Sequence, residues 1–350
     1  MHALTVRPGV QGSLDLVDLP DPAQLDGTVL VDALAVGLCG TDMEIVAGLY
    51  GQAPPGEELL VLGHENLGRV RQAPAGSGLS VGDLVVGIVR RPDPVPCPAC
   101  AIGQWDMCRN GQYTEHGIKG RHGFARERWR ADPDSLVTLD PALGDVGVLL
   151  EPTTVVAKAW EQVTRIGQRA WWDPKVAVVT GAGPIGLLAA LLAVQQGLDV
   201  HVFDLVTDGP KPDLVRRLGA TYHSQSLPES GVLADVLVEC TGVPSVVLDV
   251  LGHSALDSVA CLTGVSSGGR AIPVDVGALN RDVVLSNGVV FGSVNANRGH
   301  YEAAAEALRH ADPAWLGDLI TRRVPIEDYR DAFDRHEHDV KVVLELQPGR

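Results

Sequence analysis

A chain of 350 residues exceeds what one hydrophobic core comfortably serves, so two domains are expected. Its net charge of −16 argues against nucleic acid or an anionic membrane surface as a partner, since either would repel it. With 45% hydrophobic and 21% charged residues, and no long run of one sign, the composition is that of a globular protein with a solvated acidic surface.

The chain opens on strand-like alternation, Ala3-Leu-Thr-Val-Arg7, rather than on a basic-then-apolar leader. Its longest apolar stretch is glycine-interrupted and too short to span a bilayer, so the expected location is cytoplasmic. Six cysteines in that setting suggest metal ligands or buried thiols before disulfides.

Up to about residue 150 the chain reads as short strands broken by Gly and Pro, the pattern of an irregular β-barrel. Thr28 to Val36 is a strand followed by the turn Gly37-Leu-Cys39-Gly-Thr41-Asp42. Residues 59–62 form an apolar run ending at Gly63-His64-Glu65, and Gly82 to Val89 is a third strand. From about 155 to 290 strands alternate with helices, the pattern of a doubly wound parallel sheet, with strands expected at 176–180, 200–204, 235–239 and 259–264. A helix follows from His300 to Arg309, and Lys341 to Leu346 is a last strand able to return to the first domain. The division expected is 1–157 with 295–350, and 158–294.

The most informative stretch is Val176-Ala-Val-Val-Thr-Gly181-Ala-Gly183-Pro184-Ile185-Gly186-Leu. A β-branched strand enters Gly-x-Gly-x-x-Gly and passes directly into an apolar helix. The first glycine permits the tight turn, the second lets a pyrophosphate approach the backbone, and the third allows close packing of helix on strand. The helix then presents its N-terminal N–H groups to the phosphates. Glycine is common in this chain (40 residues), so the motif alone is weak evidence. The strand before it, the helix after it and the acid Asp204 at the end of the next strand supply the context for a dinucleotide site. The bland reading of Asp204 is a solvated strand-end acid.

Cys39, His64, Glu65 and Glu151 each end an apolar run and are of zinc-ligand type. Singly, each has a plain structural reading; a cysteine after a strand more often just packs. Cys97-Pro-Ala-Cys100 with Cys108 forms a second group in a Pro-rich loop. A structural zinc and a loop of free thiols both remain open there, because three thiolates do not complete a tetrahedron.

The ordered set Cys39-Gly-Thr-Asp42, Gly63-His-Glu65, the CxxC lobe, Glu151-Pro152, Gly181-Ala-Gly-Pro-Ile-Gly186, Glu239-Cys-Thr-Gly242 and Gly292-Ser-Val-Asn295 resembles the zinc-dependent medium-chain dehydrogenases over nearly the whole chain. Within them it is most similar to the archaeal-type glucose dehydrogenases, through Val89-Arg-Arg-Pro, Glu115-His-Gly-Ile and His122-Gly-Phe. The resemblance implies an α/β fold: a GroES-like catalytic domain, a Rossmann domain, and an active site in the cleft between them. It implies a catalytic zinc on Cys39, His64 and Glu151, with Glu65 an alternating or water-bridged ligand and Asp42 orienting the metal ligands. Thr41 would contact the substrate alcohol and start a proton relay; Glu44 stands where many relatives carry the relay histidine. Glu115 would meet a substrate hydroxyl, and Thr241, Val265 and Asn295 would line the nicotinamide cofactor.

Three departures qualify that picture. The fourth cysteine of the lobe is missing, and Asp93 falls at its position, so either Asp93 completes a structural zinc or the metal is absent. Positions that grip sugar in relatives are apolar here, notably Val89, Val155 and Leu285, which points away from unmodified glucose. The strand end Phe203-Asp204-Leu205-Val206 lacks the basic residues of NADP users, so NAD is expected over NADP. The expected function is therefore hydride transfer between a secondary alcohol of a sugar, polyol or cyclitol and NAD. The alternatives are an alcohol dehydrogenase for a non-sugar biosynthetic substrate and a non-catalytic NAD(H)-binding protein. The expected partner is a hydroxylated small molecule, and the expected assembly a homodimer or homotetramer.

Overall fold

A computed structural model describes residues 1–266 and 271–347. The chain forms two compact units, one of Met1–Glu151 with Ala296–Arg350 and one of Pro152–Asn295. They divide six residues or fewer from the expected positions.

In the first unit the opening part of the chain supplies strands β1 (Val29–Leu38), β2 (Glu65–Gln72), β3 (Leu84–Gly87), β4 (Arg128–Ala131) and β5 (Leu136–Thr138), with a short helix α1 (Gly40–Val46) after β1. β1 alternates buried and half-buried residues from Val29 before becoming wholly buried at Ala35–Leu38. That shift follows from packing one face at first and both faces later. Trp129 on β4 is fully buried, with Phe124 set edge-on at 4.8 Å. Gly68 and Gly87 leave room for these rings, since a Cβ at Gly87 would lie 2.8 Å from Phe124. Truncating a buried ring of this kind typically costs about 3–5 kcal/mol.

The second unit begins within helix α2 (Leu150–Gly167) and continues through β6 (Val176–Thr180), α3 (Pro184–Gln195), β7 (Asp199–Phe203), α4 (Pro210–Arg217), β8 (Thr221–His223), β9 (Ala234–Glu239), β10 (Ser254–Leu262), α5 (Val276–Leu285) and β11 (Val289–Gly292). Its sheet is wholly parallel, in the order β8-β7-β6-β9-β10-β11. This is a doubly wound Rossmann sheet with its order reversing at β6. Helix α3 is apolar all round because Leu187 through Ala193 are all buried. β7 ends one residue earlier than expected, so Asp204 stands just beyond it.

The chain then returns to the first unit through α6 (Arg298–Arg309), β12 (Ile320–Pro325) and β13 (Lys341–Glu345). The main sheet there runs β5-β3-β2-β1-β13-β12, with β4 also on β1. The last strand is therefore interior, antiparallel to β1 through Val342–Leu38 and Val343–Gly37, and parallel to β12.

Candidate active site

β1 ends at Leu38, and Cys39 becomes the N-cap of α1. Its sulfur accepts the Thr41 N–H at 3.3 Å, while its own N–H donates to Asp42 Oδ2 at 3.0 Å. This reciprocal cap uses two otherwise orphaned donors and fixes the direction of the thiol. Asp42 is wholly buried, and its other oxygen faces His64 Nδ1 at 3.4 Å. That leaves His64 Nε2 turned toward Cys39 Sγ, 3.1 Å away. A carboxylate behind the far ring nitrogen is the usual support of a metal-bound imidazole.

Cys39, His64 and Glu65 each offer a ligand atom within a group no wider than 4.8 Å. Burial alone pushes the His64 imidazole down, but Asp42 and the Cys39 sulfur outweigh it and hold it well above the usual histidine range. Glu151 stands outside the 4.8 Å group. Burial pushes its carboxyl up to about 7, with His64 pulling against the shift and Glu65 reinforcing it. So much buried negative potential on one imidazole suits a divalent cation, and thiolate, imidazole and carboxylate are the donors zinc takes. The residues present fit the metal.

Glu65 is held from behind. Its Oε2 meets the ammonium of Lys341, which also donates to the Leu38 carbonyl at 2.9 Å. Both side chains are buried, 3% and 1% exposed. Gly37 makes room for the pair: a Cβ there would lie 2.2 Å from Glu65 Oε2 and 2.9 Å from Lys341 Cε. Sequence reasoning missed Lys341. The available signal was a lysine, one of five in the chain, opening the apolar run Lys341-Val-Val-Leu.

On α1, Thr41 is half-buried beside the thiol and Glu44 is exposed one turn further along the same face. Glu115 is not the exposed loop residue its charge suggests by default. It is buried, and its Oε1 accepts from Arg90 Nε at 3.1 Å and Nη2 at 2.9 Å. Arg90 in turn stacks on Tyr113, 3.7 Å from the ring centre, with Lys119 also 4.2 Å from that centre.

In the lobe, Cys97, Cys100 and Cys108 converge within 4.8 Å, and Asp93 does not join them. Asp93 Oδ1 accepts the Val95 N–H at 3.0 Å, and its Oδ2 accepts from the Asn110 amide. The Cys108 thiol donates to Asn110 Oδ1 at 2.9 Å. Asn110 thus joins the loop carrying Asp93 to the cysteine lobe by hydrogen bonds.

The glycine motif of the second unit has the geometry its spacing implies. Gly181 sits at φ 90°, where a side chain would be strained and would also meet Thr241. A Cβ on Gly186 would lie 1.7 Å from the Gly181 carbonyl oxygen, so helix and turn touch there. Nothing lies within 4 Å of a Cβ built at Gly183. Gly183 is also the N-cap of α3, Pro184 follows in its first turn, and no side chain caps the helix. Its first N–H groups are thus unclaimed by a cap, as phosphate binding requires. Thr241 is fixed through its N–H and hydroxyl by the buried Glu239 carboxylate. Val265 is exposed, and Asn295 adopts the left-handed conformation at φ 60°. Val89 is buried and donates its N–H to the Tyr301 hydroxyl at 3.1 Å; Val155 is half-buried and Leu285 exposed.

Residues 25–141 match the alcohol dehydrogenase GroES-like domain, and residues 144–346 match the glucose dehydrogenase C-terminus. The chain is 41% identical to glucose 1-dehydrogenase 2 of Vulcanisaeta moutnovskia, over 99% of both chains. It belongs to the glucose dehydrogenase family. A glucose 1-dehydrogenase of Methanocella arvoryzae is 38% identical over 99% of each chain. Among solved structures, the Haloferax mediterranei glucose dehydrogenase in complex with NADP, Zn and gluconolactone superposes with a TM-score of 0.91 at 33% identity, covering 100% of both chains. As a member of this family the chain is a zinc-dependent dehydrogenase that uses a nicotinamide cofactor. Among the described residues, no helix is long and apolar enough to cross a membrane.

Proposed function

We propose that this glucose dehydrogenase family member oxidises a hydroxyl of an aldose or related polyol, with transfer of hydride to NAD. The observation that carries the reading is the cluster of half-buried Cys39 with buried His64 and Glu65, braced by Asp42 and Lys341, with Glu151 within electrostatic reach. Cys39, His64 and Glu151 are the proposed holders of the metal, with Glu65 an outer or alternating carboxylate. Zinc bound there would act as a Lewis acid on the substrate oxygen and lower the pKa of the alcohol. The Thr41 hydroxyl would accept the alcohol proton while releasing its own to solvent water on the side of the exposed Glu44. Glu115, immobilised by Arg90, is assigned to a substrate hydroxyl. Gly181, Gly183, Pro184, Ile185 and Gly186 are assigned to the pyrophosphate, Asp204 to the adenosine ribose, and Thr241, Val265 and Asn295 to the nicotinamide end.

NAD is favoured by Asp204; the Haloferax enzyme was solved in complex with NADP, and that property belongs to the relative. A second zinc in the lobe would rest on the thiols of Cys97, Cys100 and Cys108, its fourth position left to an exchangeable ligand. A homodimer or homotetramer accords with the edge strand β11 and with Val276, Val284 and Leu285 on α5, all exposed. A cytoplasmic location accords with six cysteines that are all unpaired.

The test is cofactor reduction across aldoses, polyols, cyclitols and simple aliphatic alcohols, before and after chelation. Turnover of an aldose or polyol that chelation abolishes and zinc restores is the expected result. Turnover of aliphatic alcohols alone, or activity indifferent to chelation, would refute the assignment.

A further inference from the structure

The rule that an acid at the end of the second Rossmann strand excludes NADP assumes that the acid carries its charge uncompensated. Asp204 does not. Its Oδ2 accepts the Ala182 N–H at 2.7 Å and the Lys211 ammonium at 3.1 Å, and its Oδ1 accepts the Val206 N–H at 3.1 Å. The two side chains are 13% and 21% exposed, so solvent screens the pair only in part. A full positive charge therefore sits on the carboxylate expected to repel a 2′-phosphate.

The position of that charge is built into the loop. The Asp204 N–H donates to the His223 carbonyl at 3.1 Å, and the Tyr222 hydroxyl donates to the Val206 carbonyl and, at 3.4 Å, to that of Asp204. Lys211 lies in the first turn of α4 between Pro210 and Pro212, a backbone with little freedom. Its side chain is the mobile part, a four-carbon stem carrying a charge that turns easily.

From this arrangement we infer that Lys211 is a specificity-determining residue for the cofactor. Its ammonium rests on Asp204 when the ribose bears a free 2′-hydroxyl, and swings onto the phosphate when the ribose bears one. The chain then prefers NAD but retains NADP as a working second cofactor. The inference rests on the assignment of Asp204 to the adenosine ribose.

The experiment compares wild type, Lys211→Met, Lys211→Arg and Asp204→Asn as full-length zinc-loaded proteins, each with a thermal melt to establish folding. Two readouts are taken: the ratio of kcat/KM for NAD to that for NADP, and direct binding of AMP against adenosine 2′,5′-bisphosphate. Loss of one charge-assisted hydrogen bond to phosphate corresponds to about tenfold or more. Lys211→Met should raise the NAD:NADP ratio by about that factor, through KM for NADP, and weaken the bisphosphate relative to AMP to match. Lys211→Arg should restore the ratio, and added salt should shrink the difference. A ratio within about threefold of wild type in Lys211→Met, or equal losses with both cofactors and both nucleotides, overturns the inference. If Lys211→Met shifts the ratio while Asp204→Asn does not, the ribose assignment of Asp204 fails and the swing between Asp204 and phosphate is overturned with it, leaving Lys211 as a phosphate contact alone.

Discussion

Replacing Lys341 by Met removes the positive partner of a carboxylate that is 3% exposed, and fills its space with a side chain of similar length. Glu65 cannot turn to water, because Gly37 and β13 close that side. Breaking a buried pair from one side typically costs about 3–5 kcal/mol, since the remaining charge is desolvated and uncompensated. Replacing both partners by apolar residues removes the uncompensated charge, so Glu65→Leu/Lys341→Met should lose much less than either single change. The assay is urea denaturation of chelator-treated protein, followed by tryptophan fluorescence, for the wild type, both single variants and the double. The coupling energy between the two positions should be well above the few tenths found for independent sites. A single variant that loses less than about 1 kcal/mol, or a double equal to the sum of the singles, would refute the argument that this pair is a buried, mutually dependent unit.

Three further outcomes follow from the geometry. Asp42→Asn should weaken zinc retention by about 10–100-fold in competition with a chelator, because Asp42 orients both Cys39 and His64; unchanged retention would remove Asp42 from the site. Gly186→Ala places a Cβ 1.7 Å from backbone that cannot yield, so cofactor binding and the stability of the second unit should both fall; wild-type cofactor affinity would contradict the close packing described. Burial, together with nearby Arg91 and Arg121, holds the His116 imidazole well below the usual histidine range. The unfolded chain then binds the extra proton first, so stability should fall by up to about 1.4 kcal/mol per pH unit below about pH 6.5, and be unaffected by this group above it. His116→Phe should flatten that acid limb; an unchanged limb assigns it to other groups.

The glycine motif was legible because its cause is largely local: Gly181 takes a left-handed turn, Gly186 packs on the Gly181 carbonyl five residues back, and the strand and helix around them are continuous apolar runs. The convergence of Cys39, His64 and Glu65 was legible as residue types at strand ends, since Cys39 and His64 each follow an apolar run, whereas Glu151 stands outside that group. The partners that give these residues their properties were not. Lys341 reaches Glu65 only because β13 lies beside β1, a pairing across some 300 residues that no spacing encodes. Lys211 looks like one more surface lysine until the loop after β7 folds it onto Asp204. Glu115 was placed by likeness, but its burial against Arg90 depends on a small sheet pairing Arg90 with Glu115. Asp93 was named by counting along the chain; in three dimensions its oxygens go to Val95 and Asn110.

The interior position of β13 also sets an order of events at the ribosome. Residues 152–295 form one uninterrupted unit and can fold as soon as they emerge. The unit around Cys39 and His64 cannot, because the slot between β1 and β12 stays empty until Lys341–Glu345 have been made. Until then Glu65 has no ammonium beside it, and the nascent cluster carries its carboxylates without their counter-charge. The cluster of Cys39, His64 and Glu65 is therefore completed only after β13 has been made, although its three residues are synthesised about 280 to 300 residues earlier.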